Sequence, residues 1–171
     1  MAAFPALALL GILALGVSSA CGPKDGGNGE AARAAASLTP ADEARIRSAD
    51  SAFAAAANAG DVDGVVAVYT EDATLLAPNL PPQKGRDAIK AFWGGFFDAY
   101  TVRFELGSDT IEGRGDLAYH RGHFRFTAVP KAKGVPGVAD EGKFVEILKK
   151  QPDGSWKYVI DMYSSNLALQ H

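Results

Sequence analysis

Apolar residues recur at a helical period in the first half of this chain and alternate with polar ones in the second. Thr39-Pro40-Ala41-Asp42-Glu43 reads as a helix start, with Thr39 as N-cap, Pro40 at the first position and two acids following. The helix predicted from there runs to about Ala59, with Ile46, Ala49, Phe53 and Ala56 on one stripe. Gly60 suits the position just past its end, and Asp61 can cap a short second helix. In that second helix Val62, Val65, Val66 and Tyr69 fall at helical spacing. Thr74–Ala77, closed by Pro78, predicts a short strand, and Asn79–Gln83 a loop. Gly85-Arg86 opens a third helix, on which Ile89, Phe92, Trp93, Phe96 and Phe97 make a wide aromatic face. That face is either plain core or, in part, the wall of a ligand cavity.

From Tyr100 the period changes. Val102, Phe104 and Leu106 alternate with Arg103 and Glu105, the mark of a half-buried strand. Leu117–Ala128, Lys143–Gln151 and Trp156–Ser165 predict three more, and Pro152-Asp153-Gly154-Ser155 a tight hairpin turn. Val129–Asp140, with two Pro and two Gly, reads as a longer link. Three helices followed by an antiparallel meander imply an α+β domain with one face of the sheet buried on the helices.

The alternation also sorts the candidate chemistry. Ala118, His120, Gly122, Phe124 and Phe126 share the more apolar face of their strand, so His120 should point inward. Pairing Gln151 with Trp156 across the turn sets Glu146 opposite Asp161, Leu148 opposite Val159 and Phe144 opposite Tyr163. Pairing Thr127 near Glu141 brings His120 diagonal to Glu146 on the same face. His120, Glu146 and Asp161 are therefore the candidate catalytic residues. Opposed carboxylates in a poorly solvated pocket must take up a proton or a cation, and histidine is the nearest cation. Such a cluster could move a proton beside a ligand carbonyl; the alternative is a polar patch or core network that only fixes strand register. The opposite face carries Val145, Ile147, Tyr158, Ile160 and Met162 beside Arg121, His123 and Arg125, a large apolar strip for a monomer.

The 171 residues, 47% hydrophobic with a formal charge of −3, suit one domain with an ample core. The basic residues are scattered, so nucleic acid is not an expected partner. Phe4–Val17 is short for a membrane span and right for a signal-peptide core, which places a leader at residues 1–20. Ser18-Ser19-Ala20-Cys21 resembles a bacterial lipobox, in which Cys21 would be lipidated and hold the protein to a membrane of the cell envelope. The alternative is an ordinary signal peptide with a chance cysteine. Small and polar residues over 21–38 read as a flexible tether, leaving the domain at 39–171. His120 and His123 fall on opposite faces of one strand and Cys21 in the tether, so no metal site is expected. Gly94-Gly95 lies inside an aromatic helix and is no nucleotide loop. No cofactor is implied.

The wording from Asn58 to Thr74, NAGDVDGVVAVYTEDAT, resembles the helix–helix–strand opening of the nuclear transport factor 2-like superfamily, home of ketosteroid isomerases and SnoaL-like cyclases. Gly85-Arg86-Asp87-Ala88-Ile89, Gly115–Tyr119 and Gly154-Ser155-Trp156-Lys157 are similar to its SnoaL-like branch. The resemblance covers about residues 42–166. It implies a cone-shaped fold whose curled sheet encloses a pocket, here lined by Phe53, Tyr69, Ala77, Trp93, Phe96, Phe124 and Tyr163. It also implies a homodimer formed through the sheet. The ketosteroid isomerase base would fall at Ala77, its first oxyanion donor at Phe53 and its second near Gly142; none of these can do that work. The late-strand aspartate of SnoaL-like cyclases is nearest to Asp161. The functions left are a binding module for a small hydrophobic molecule and a cofactor-free isomerase, cyclase or dehydratase.

Overall fold

The computed structural model describes residues 36–168. The leader, Cys21 and residues 21–35 of the expected tether lie outside them. Three helices, α1 (Pro40–Ala59), α2 (Val62–Ala67) and α3 (Arg86–Ala99), pack on one face of a sheet. Its strands are β1 (Tyr69–Leu76), β2 (Gln83–Lys84), β3 (Tyr100–Arg114), β4 (Leu117–Pro130), β5 (Val138–Lys150) and β6 (Trp156–Ser165), ordered β2-β1-β6-β5-β4-β3. Only β1 and β6 run parallel, so this α+β domain has a curved, unclosed and mostly antiparallel sheet.

The expected α1 boundaries hold. Thr39 accepts from the Asp42 amide while the Asp42 carboxylate accepts from Thr39, a capping box, and Gly60 ends the helix at φ 68°. Asp42 further accepts from Lys150 Nζ at 2.6 Å and Trp156 Nε1 at 3.3 Å, tying the helix start to β5 and β6. Its carboxyl is thereby held well below the usual range, the Lys150 contact outweighing its burial.

Tyr69 departs from the helical expectation. α2 stops at Ala67, because the Val68 carbonyl accepts from the Tyr158 amide and the chain joins β6 at once. β1 is accordingly longer than the four residues expected, and Gln83, the last residue of the expected loop, pairs with it together with Lys84. The β4–β5 link is also shorter than expected. Phe126 pairs with Asp140 and Ala128 with Val138, so only residues 131–137 bridge the strands.

Two bulges alter the register of the antiparallel pairs. In β6 the extra residue is Val159: Glu146 faces Asp161 and Phe144 faces Tyr163 as expected, but Leu148 faces Tyr158 and Lys150 faces Trp156. Tyr158, expected on the outer strip, therefore turns inward and is fully buried. In β3 the extra residue is Asp109, between the Ser108–Gly122 and Thr110–Arg121 pairs. Glycines in the sheet let aromatic rings lie against the backbone. A Cβ on Gly122 would meet the Gly107 carbonyl at 2.1 Å and the Phe144 ring at 2.6 Å. One on Gly142 would meet the Ser164 carbonyl at 2.1 Å and the Phe124 ring at 2.6 Å.

Candidate functional site

Between the helices and the concave face of the sheet lies a cavity of about 230 Å³. Phe53 of α1 and Phe92, Trp93 and Phe96 of α3 form one wall; Phe104, Leu106, Phe124, Phe126, Phe144 and Tyr163 of the sheet form the other. The helical spacing of 92, 93 and 96 and the alternation along each strand bring these rings to a common side. Many meet edge to face, as Phe53 does on Trp93 with centroids 5.3 Å apart. The lining also holds Pro78, Asp140, Glu146 and Asp161. Of the expected lining residues, Phe53, Trp93, Phe96, Phe124 and Tyr163 are there, and Tyr69 and Ala77 are not. Tyr69 is fully buried behind Asp161, and Ala77 gives way to the adjacent Pro78.

Glu146 and Asp161 sit side by side on the neighbouring strands β5 and β6. Behind Glu146 stands His120, directly opposite it on β4 and not diagonal as expected. His120 has no exposed surface and does not touch the cavity. Its Nδ1 lies 3.0 Å from Glu146 Oε2 and 3.1 Å from Asp50 Oδ2. Asp50 Oδ1 accepts from the Tyr158 hydroxyl at 2.8 Å, and Asp161 Oδ2 from the Tyr69 hydroxyl at 2.5 Å. His120 Nε2 meets Ser108 Oγ at 2.8 Å, and Arg47 Nη1 donates to that same oxygen at 2.6 Å. Ser108 is exposed, so the buried network reaches solvent there.

These contacts set the charges. Burial opposes the His120 imidazolium, yet hydrogen bonds and charge from Asp50 and Glu146 carry its pKa from 6.5 up to about 9. Both ring nitrogens are then donors, Nδ1 to the carboxylates and Nε2 to Ser108. Burial drives the Glu146 carboxyl well above the usual range, and the charges of Asp50 and Asp161 add to this. Burial likewise raises Asp161, to about 6, against the pull of the Tyr69 hydrogen bond. Tyr69 and Tyr158 are pushed up, first by burial and then by the carboxylates, and remain protonated donors. Two adjacent carboxyls are thus both raised by burial, Asp161 being held by the Tyr69 hydroxyl and Glu146 by His120.

Asp50 is absent from the residues singled out in the sequence. Its signal is an acid on the apolar stripe of α1, four residues after Ile46 and three before Phe53. Ser108 carries no such signal, since its contact depends on the bulge at Asp109. The ligand atoms of Asp50, His120 and Glu146 lie within 4.8 Å of one another and could hold a metal ion. The expectation of no metal site rests on His120, His123 and Cys21, and takes no account of Asp50. Trp93 Nε1, in the α3 wall, is buried without a hydrogen-bond partner.

Residues 51–159 match the SnoaL-like domain family. The chain belongs to that family. The match spans α1 from Ser51 into the first four residues of β6, so it includes Glu146 and His120 and stops two residues before Asp161. The SnoaL-like domain also superposes on solved structures. A ketosteroid isomerase-like protein from Erwinia carotovora atroseptica is 24% identical with a TM-score of 0.68, over 76% of this chain and 100% of its own. A candidate aromatic ring hydroxylase from Novosphingobium aromaticivorans is 24% identical at 0.70, over 78% and 94%. A candidate dehydratase of the nuclear transport factor 2-like family from Streptomyces avermitilis is 18% identical at 0.66, over 76% and 100%. At these identities the likeness concerns the fold alone, and that fold is the one the nuclear transport factor 2-like resemblance implies.

Proposed function

We propose that this SnoaL-like domain binds a small, mainly apolar molecule in its aromatic cavity and moves a proton on it without a cofactor. The observation that carries the reading is the pair Glu146 and Asp161, adjacent on two strands at the cavity, Asp161 held by the Tyr69 hydroxyl and Glu146 by His120. Asp161, ionised above about pH 6, is the base that takes a C–H proton. Glu146, whose carboxyl burial raises well above the usual range, is the acid that polarises a carbonyl oxygen or donates to a leaving hydroxyl. His120 is a positioning residue: it holds Glu146 and Asp50 and touches no ligand. Isomerisation and dehydration both need this division of labour, and a cyclisation through an enol needs its first half. A ketosteroid isomerase mechanism is disfavoured, because Ala77 and Phe53 stand where the resemblance puts its base and first donor. At about 230 Å³ the cavity also falls below the ~300–1,000 Å³ of most ligand sites.

The base is testable with 5-nitrobenzisoxazole, a small neutral arene whose ring opens once C3–H is removed. Release of the cyanonitrophenolate should rise through about pH 6 and fall at least a hundredfold in Asp161→Asn. Equal rates in the variant would sink the reading. Binding without turnover is the second reading, supported by the fact that every nitrogen of His120 is already engaged.

Two further proposals concern the address and assembly. Val145, Ile160 and Met162 are exposed on the outer sheet face, which supports a homodimer built there. Light scattering at tens of micromolar should give twice the monomer mass, and a monomer would refute it. The Ser18–Cys21 wording supports export and lipid attachment at Cys21, which acyl labelling of wild type against Cys21→Ser checks.

A further inference from the structure

We infer that the cavity selects an organic cation: a small aromatic or alicyclic amine, or a quaternary ammonium, with its charge against Asp161 and Glu146 and its body among the rings. The inference rests on the cavity being the ligand site and goes on to name the class of ligand. Among the described residues three acids line the cavity, Asp140, Glu146 and Asp161, and no lysine, arginine or histidine does. An anionic ligand would therefore meet only like charge.

A neutral hydrocarbon meets a different obstacle. Asp161 and Glu146 are 7% and 5% exposed, and each commits one oxygen, to Tyr69 and to His120 respectively. Among the described residues no donor meets the other oxygen of either carboxyl. An apolar guest would seal those oxygens away from water with nothing in return. A cationic nitrogen satisfies them, and the aromatic faces around it supply a second attraction through their negative quadrupoles. A wall of rings above a carboxylate is how proteins hold alkylammonium groups. A bare metal ion would use the carboxylates but gain nothing from Phe92, Phe96, Phe124 or Phe126.

The test is calorimetric titration of the full-length chain, in the presence of EDTA to exclude metal ions. The probes are phenyltrimethylammonium, its uncharged carbon isostere tert-butylbenzene, the neutral donor benzyl alcohol and the anion benzoate. The cation should bind at least tenfold more tightly than each of the others, and that preference should collapse in Asp161→Asn. Glu146→Gln, which keeps the shape of the side chain, serves as a second variant and should weaken the cation alone. If tert-butylbenzene or benzyl alcohol binds as tightly as the cation, the charge inference is overturned while the cavity reading stands. If no probe binds and 5-nitrobenzisoxazole is not turned over, both are overturned.

Discussion

His120→Ala is expected to cost the domain about 3–5 kcal/mol at pH 8, the usual effect of removing one partner from a buried charge network. The variant leaves Asp50 and Glu146 buried without their cation and opens space beside the Phe144 ring, whose centroid lies 5.1 Å from the imidazole. The pH dependence separates the two causes. In the wild type the pKa of His120 rises from 6.5 to about 9 on folding. Its charge therefore adds stability that is complete below about pH 6.5 and lost as pH climbs through 9. The variant lacks that contribution, so the charge part of its deficit should be larger at pH 6 than at pH 8. Urea denaturation at both pH values measures this. An equal deficit would mean that His120 matters only for the space it fills.

Asp161→Asn should act in the opposite sense on stability. Folding raises this carboxyl from 3.8 to about 6, so the folded state holds the proton more tightly than the unfolded chain. That preference contributes stability below about pH 3.8 and is lost as pH rises through 6, leaving the ionised form to bear its burial. Asparagine never ionises and can still accept from Tyr69. The variant should be more stable than wild type by about 2–3 kcal/mol at pH 8, from roughly two pKa units at 1.36 kcal/mol each. The gain should shrink towards zero near pH 4. It should accompany the loss of base activity described above, the pattern of a site held at a cost to the fold. A destabilised variant at pH 8 would show that the Asp161 carboxylate is a structural support.

Much of this arrangement was legible in local chemistry. The caps at Thr39, Gly60 and Asp61 and the full extent of β6 follow from residue types that act within a few positions of themselves. The opposition of Glu146 and Asp161 also came out correctly, but through two errors that cancel. Counting from Gln151 opposite Trp156 begins one residue out of step, and the bulge at Val159 removes the difference before Asp161 is reached. Tyr158 lies between the turn and the bulge, and its face was therefore misassigned. Pairing Thr127 with Glu141 was wrong by two positions, which preserves the face and explains why His120 still pointed inward. Bulges follow from the packing of the whole sheet, and nothing near Val159 or Asp109 announces one. Asp50 was readable in principle: an acid inside an apolar stripe needs a partner, and its partner lies 70 positions away on β4.

The rings over Gly122 and Gly142 carry a consequence for how such a domain diversifies. Neither glycine lines the cavity, yet each gives the bed on which Phe144 or Phe124 reclines. A single methyl at either position would tip a ring off the sheet and into the hollow, or bend the strand away from it. The shape available to a guest is thus partly recorded at two sites that the guest never contacts. Drift beneath the rings could retune what fits inside while every acid and tyrosine around the cavity stays unchanged.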